Sequence, residues 1–212
     1  MENCVYIDGT LVAEQYGDTP GVDANYIRIK QSKFLNVTKN YKLTGDAKLY
    51  VNGVEYCDIT ASTADTVREL LAASAGNAIL VEAENQSGYY SRVMIDYYIT
   101  ARVASVSAKS TEINVSLSSV AYNKVLAQKP GASITIVPSD VETGDVTVSV
   151  VRDGNPAELS ALENGDIVSI AYDVTTDLTG STFFEIIAST DSVTGAFSYY
   201  DEEDELYTVR CV

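Results

Sequence analysis

Two runs of alternating side chains, each closed by a tight-turn dipeptide, constrain this chain more than any other feature. Lys48-Leu49-Tyr50-Val51 leads into Asn52-Gly53, and Val146-Thr147-Val148-Ser149-Val150 leads, two residues later, into Asp153-Gly154. Alternation at period two is the pattern of a half-buried strand. Asn-Gly and Asp-Gly supply the positive φ angles that a two-residue hairpin turn demands. Tyr26-Ile27-Arg28-Ile29-Lys30 alternates as well, and residues 133–137, 167–171, 183–188 and 206–212 are further strand-length runs. Val, Ile, Thr, Tyr and Phe make up more than a third of the 212 residues, and these side chains fit a pleated surface better than a helix. One segment departs from this: residues 64–73 read as a helix, with Ser62 or Thr63 placed to cap its start and Gly76 to stop it near residue 74. A shorter turn is predicted at residues 157–162. The fold class expected is all-β with one helical decoration.

The two turns belong to a longer internal repeat. After Asn52-Gly53 come Leu70-Leu71, Gly76-Asn77-Ala78-Ile79-Leu80-Val81, a strand through Val93-Met94-Ile95, and Ile99-Thr100-Ala101-Arg102-Val103. After Asp153-Gly154 come Leu159 and Leu162, Gly165-Asp166-Ile167-Val168, a strand through Phe183–Ala188, and Val193-Thr194-Gly195-Ala196-Phe197. The turn glycines Gly53 and Gly154 lie 101 residues apart and the second glycines, Gly76 and Gly165, 89 apart. The shortfall falls where the first copy carries its helix. Self-similarity at a fixed period is the signature of a repeat architecture. We therefore expect two tandem small β-barrel or sandwich domains: a strand or connector over residues 1–25, a first domain over 26–110 with the helix near 64–74, and a second over 111–212.

Composition removes several functions. Fourteen Lys and Arg against 30 Asp and Glu leave a net charge of −16. A field of that sign repels nucleic acid and anionic lipid, and phosphate contacts need clustered cations. No apolar run is long enough to span a bilayer. The absence of His removes most catalytic triads, most zinc sites and the neutral-pH proton shuttle. Carboxylates are plentiful but nothing singles out a pair, so the chain reads as non-enzymatic. Cys4, Cys57 and Cys211 are too far apart for a metal motif; three buried thiols and a Cys4–Cys211 bridge both fit them.

The order "strand, Asp/Asn-Gly turn, Leu-x-x-Leu, x-Gly-Asp-hydrophobic-Val, strand, hydrophobic-x-Gly" resembles the small β-barrel modules strung between S-layer homology domains in large surface proteins of Gram-positive, clostridia-like bacteria. Asp153-Gly154, Leu159, Leu162, Gly165-Asp166-Ile167-Val168 and Val193-Thr194-Gly195 carry it in the second copy. In the first, residues 84–90, Val93-Met94-Ile95, Tyr97-Tyr98 and Val103-Ala104-Ser105-Val106 are similar to a recurrent acidic loop, strand and Tyr-rich run of such proteins. The resemblance covers residues 47–212. This chain departs from the pattern in two ways: the loop at 84–90 lacks most of the acidic residues, and no S-layer homology segment is present. The resemblance implies an extracellular, cell-surface fragment acting as a spacer or assembly unit. Its partners would be copies of itself, neighbouring surface domains or a cell-wall polysaccharide.

Two groups of residues are candidate sites. Asp201, Glu202, Glu203 and Asp204 lead a run of five carboxylates ending at Glu205, and Asp140, Glu142 and Asp145 cluster around Gly144. Hard oxygen ligands of this kind suit calcium, the one cofactor these loops would take. Without EF-hand spacing, and with strand neighbours facing opposite ways, the run also reads as a solvated hairpin loop between Tyr199-Tyr200 and Leu206-Tyr207. The second group is the tyrosines. Fifteen is a high number for this length, and they pair at Tyr89-Tyr90, Tyr97-Tyr98 and Tyr199-Tyr200. Alternation would turn one ring of each pair outward, where tyrosine is favoured at binding surfaces; equally, tyrosine suits half-buried strands. A carbohydrate-binding module and a phage or virion structural protein are the alternative functions.

Overall fold

The computed structural model describes residues 4–7, 12–13, 26–30, 38–73, 78–107, 111–114, 133–189, 195–201 and 206–211. Within these the chain is mostly β. The first sheet is built from β1 (Cys4–Ile7), β2 (Val12–Ala13), β3 (Tyr26–Lys30), β4 (Thr38–Val51), β5 (Val54–Asp58), β6 (Ala78–Ala83) and β7 (Gln86–Ile95). Its order is β1-β6-β7-β4-β3-β2, with β5 also on β4. The second sheet comprises β8 (Ile99–Val106), β9 (Thr111–Asn114), β10 (Ser133–Ile136), β11 (Thr147–Arg152), β12 (Asn155–Ala157), β13 (Ile167–Tyr172) and β14 (Phe183–Ala188). They run in the order β10-β9-β8-β13-β14-β11-β12. A separate hairpin pairs β15 (Gly195–Asp201) with β16 (Leu206–Cys211). Neither large sheet closes into a barrel among the described residues. The strand at 99–106, grouped by sequence with the first domain, pairs in the second sheet. β1, from the segment 1–25, pairs in the first.

The repeat expected from sequence is written into the pairing. In each sheet one parallel pair interrupts an antiparallel ladder: β4 with β7, and β11 with β14. The turn that ends β4 has Asn52 at φ 52° and Gly53 at φ 82°, and the turn that ends β11 has Asp153 at φ 50° and Gly154 at φ 78°. Positive φ at both central residues is the geometry whose twist matches a two-residue hairpin. The Asn52 N–H then donates to the Ile95 carbonyl and the Asp153 N–H to the Ala188 carbonyl, each at 3.0 Å. Ile95 and Ala188 stand in turn opposite Ala78 and Val168, and those opposite Ile7 and Ala101. β1-β6-β7-β4-β5 and β8-β13-β14-β11-β12 are thus one arrangement used twice.

The helix α1 (Ala64–Ala73) forms where the sequence predicts it. It buries Ala64, Val67, Leu70 and Leu71, the i, i+3, i+6, i+7 set that lines one helical face. Each fully buried leucine contributes roughly 1.5–3 kcal/mol relative to exposure. Thr63 accepts the first helical bond, from Val67 N–H, at its carbonyl, while its hydroxyl donates to the Asp58 carbonyl. Asp65 in the first turn pairs with Arg68 at 2.9 Å. In the second copy a single 3-10 turn, Leu159–Ala161, replaces this helix. A second helix, α2 (Pro138–Thr143), was not foreseen. Pro138 begins it and Gly144 ends it in the left-handed conformation at φ 81°, the expected Pro-in, Gly-out asymmetry. Six residues are too few for a helical period to show. Buried side chains of both sheets form one continuous core, among them Leu49, Val51, Leu80, Val93, Ile170, Tyr172 and Ile186.

Because the two turns share one conformation, Gly53→Ala and Gly154→Ala should each destabilise the chain by about 1–2 kcal/mol, the left-handed penalty of a Cβ. Nothing lies within 4 Å of an added Cβ at either site, so denaturant titrations should show two similar losses.

Candidate functional site

Asp96, Tyr97 and Tyr98 are the whole of the chain between β7 and β8, and so between the two sheets. Their position is set by a side chain from the first turn. Asn52 Nδ2 donates to the Tyr97 carbonyl at 3.0 Å and to the Tyr172 carbonyl, at the end of β13, at 2.9 Å. Asn52 Oδ1 accepts from the Tyr97 N–H at 2.8 Å. One amide therefore uses both its N–H groups and an oxygen lone pair, and it ties the first sheet to the connector and to the second sheet. Only Asn or Gln has both donors and an acceptor on one short planar group, and Asn tolerates the positive φ of this turn better than a bulkier residue. The ring of Tyr97 is buried, and that of Tyr172 is 1% exposed.

A second contact crosses the same boundary. The Tyr98 hydroxyl donates to Glu185 Oε1, on β14, at 3.2 Å. Burial, reinforced by the charges of Glu185 and Asp96, pushes the Tyr98 phenol up to about 12 from its ordinary 10.0. The turn before β13 also locks onto β8: Val103 N–H donates to the Asp166 carbonyl and Gly165 N–H to the Val103 carbonyl, at 2.9 and 2.8 Å. Gly165 sits at φ 98°, so Gly165-Asp166 acts here as turn chemistry against a strand. Arg152 steadies that turn, reaching Glu163 at 3.2 Å, Asp166 at 3.5 Å and the Ala161 carbonyl.

The sequence-predicted candidates separate. Tyr97 and Tyr98 belong to this junction. Tyr89 and Tyr90 lie together on β7, half-buried: Tyr90 packs edge-on against Tyr41 at 5.7 Å and 71°, and Lys42 Nζ stands 5.5 Å from the Tyr89 ring centre. Tyr199 and Tyr200 occupy successive positions of β15 opposite Thr208 and Tyr207, and their side chains lie outside the described residues. Asp140 and Glu142 are exposed on α2, and the Asp145 carboxylate accepts from the Thr143 hydroxyl at 2.7 Å. No three acidic or Cys side chains among the described residues gather to hold a metal ion. Asp201 closes β15, while Glu202, Glu203 and Asp204 lie outside the described residues. Cys57 is a half-buried free thiol whose pKa burial pushes up; a Cys4–Cys211 bridge would rest on a side chain outside the described set.

A groove of about 230 Å³ opens beside β10, lined by Ile134, Ile136, Val137, Asp140, Leu178 and Phe184. It is smaller than the ~300–1,000 Å³ typical of pockets for drug-sized ligands. No helix among the described residues is long and apolar enough to cross a membrane. No protein-family model matches the chain, and comparison with curated proteins and with solved structures gave no match.

Asn52 is the junction residue that sequence reading treats only as a turn former. Asn52→Ala should cost about 1–3 kcal/mol, because it leaves partly buried carbonyls and an N–H without their partner; chemical denaturation measures this. Tyr98 gives a pH signature. Its phenol keeps its proton in the folded chain to a higher pH than in the unfolded chain, so its contribution is present below pH 10 and is lost as the pH rises towards 12. Ultraviolet titration of Tyr98→Phe should show one late-ionising tyrosine fewer than the unsubstituted chain.

Proposed function

We propose that this chain is a non-enzymatic structural fragment of a bacterial cell-surface, S-layer-like protein, acting as a spacer or assembly unit outside the cell. The observation that carries the reading is the recurrence of one five-strand arrangement joined through a three-residue connector that the Asn52 side chain clamps. Repeat proteins of this kind extend by neighbour-to-neighbour contacts, and a clamped connector transmits orientation from one unit to the next. The net charge of −16 fits a solvated surface that keeps copies apart until contact is specific. The partners are copies of the chain and neighbouring surface domains, and calcium would act between acidic loops of adjacent copies.

Two measurements test this. Antiserum raised against the chain should label intact cells of the source organism; labelling that requires permeabilisation would contradict the surface assignment. Small-angle scattering should give one rigid two-unit shape, with Asn52→Ala broadening the distance distribution. A wild-type distribution as broad as that of the variant would sink the spacer reading.

A further inference from the structure

The residue that clamps the junction is followed by Gly53. In an Asn-Gly dipeptide the backbone nitrogen of the glycine can attack the side-chain amide carbon of the asparagine, and glycine allows this most readily because it puts no side chain in the way. Gly53 is exposed, and its N–H makes no hydrogen bond among the described residues. Nothing lies within 4 Å of where a Cβ would stand. The attacking nitrogen is therefore open to water and to base.

The carbon it would attack is held away from it. Reaction requires Asn52 Cγ to swing over the Gly53 nitrogen and present the face of its amide plane. That plane is pinned: Nδ2 donates to the Tyr97 and Tyr172 carbonyls at 3.0 and 2.9 Å, and Oδ1 accepts from the Tyr97 N–H at 2.8 Å. Turning the side chain towards Gly53 breaks all three bonds, so the junction and the reaction compete for one amide. The chain holds a second such dipeptide, Asn164-Gly165, guarded on the opposite atom. Asn164 is exposed and its side chain makes no hydrogen bond among the described residues, whereas the Gly165 N–H donates to the Val103 carbonyl at 2.8 Å. The first site answers to the parting of the junction, and the second to the release of its turn from β8.

We propose that Asn52 is a deamidation site controlled by the junction, and that reaction there makes an opening of the two sheets permanent. Base takes the Gly53 amide proton, the nitrogen bonds to Asn52 Cγ, and the Cγ–Nδ2 bond breaks as the amide nitrogen regains a proton and leaves as ammonia. Water then opens the cyclic imide at one carbonyl or the other, giving aspartate or isoaspartate. The net change is amide plus water to carboxylic acid plus ammonia, with nothing oxidised or reduced. Neither product, ionised, has a side-chain donor, so neither can bond the Tyr97 and Tyr172 carbonyls. Isoaspartate also adds a methylene to the main chain inside a two-residue turn whose geometry leaves no slack. A junction that recloses unreacted is restored, and one that reacts while open is not. The proposal concerns the joint itself and stands whether or not the chain lies on a cell surface.

The test is peptide mapping by mass spectrometry after incubation at mildly alkaline pH, with aspartate and isoaspartate scored separately at the two sites. In the folded chain Asn52 should react on the order of a hundredfold more slowly than in denaturant, the factor that three hydrogen bonds of ordinary strength supply. In denaturant, where folding plays no part, Gly53→Ala should slow the reaction at Asn52 and leave Asn164 unchanged. Tyr97→Pro, which removes the N–H that Asn52 Oδ1 accepts, should speed Asn52 in the folded chain without speeding Asn164. Asn52 reacting equally fast folded and denatured, or staying intact in both, overturns the proposal. So does a Tyr97→Pro variant that leaves Asn52 unchanged or accelerates both sites alike. If circular dichroism shows that Tyr97→Pro does not fold, Asn52→Asp decides in its place. Its denaturation midpoint should fall below that of the unsubstituted chain and its small-angle scattering should show a broader distance distribution; both unchanged overturns the proposal.

Discussion

The arrangement of the two sheets hangs on one planar amide. A connector of three residues cannot by itself fix how one sheet meets the next, because each residue keeps two soft dihedrals. Asn52 removes that freedom by bonding the N–H and the carbonyl of Tyr97 together with the carbonyl of Tyr172. Those backbone groups lie beside buried rings, where an unpaired carbonyl is costly. The position can do this because it is the first central residue of a hairpin turn, with its backbone already at φ 52° and its N–H held by Ile95. Turn and clasp are one structure: a loop that only reversed the chain would leave the amide in solvent.

The second copy keeps the turn and changes the clasp. Asp153 has the same conformation and the same backbone bond to the strand beside it, but an ionised carboxylate accepts hydrogen bonds and donates none. It cannot serve two carbonyls as Asn52 does. The conformational requirement of the turn is therefore met twice and the donor requirement once. Two copies of one fold in this chain present chemically different faces at corresponding points, and the repeat is structural without being functionally uniform.

Much of the fold was legible in the sequence because its determinants are local. The alternation at 26–30 and 48–51, the two turn dipeptides and the helix at 64–73 each depend on neighbours within a few residues, and each forms as expected. The 3-10 turn at 159–161 was visible as Leu159 and Leu162 at one-turn spacing. α2 escaped because its signals, Pro138 and Gly144, frame only six residues. The membership of β8 escaped for a different reason. Which sheet a strand joins is settled by partners some 70 residues away, and Ile99–Val106 has the pattern of an inward-facing strand whichever sheet receives it. The junction residues were illegible on the same ground: nothing near Asn52 in sequence announces Tyr172, 120 positions on. Local chemistry predicts elements, and long-range pairing decides what they do.

That long-range pairing sets an order of events during synthesis. Ile7 faces Ala78, and Ala101 faces Val168, so the opening strand of each unit emerges from the ribosome about 70 residues before the strand that completes its sheet. Pairings of such separation close slowly, and a waiting strand with bare edges invites the wrong neighbour. β8 waits in company, since β9 follows within a few residues and covers one edge at once. The hairpin is in that sense a shelter for one edge, built from local contacts and kept after β13 pairs with the other. Among the described residues β1 pairs with β6 alone, so the pairing it makes is of the long-range, slowly closing kind.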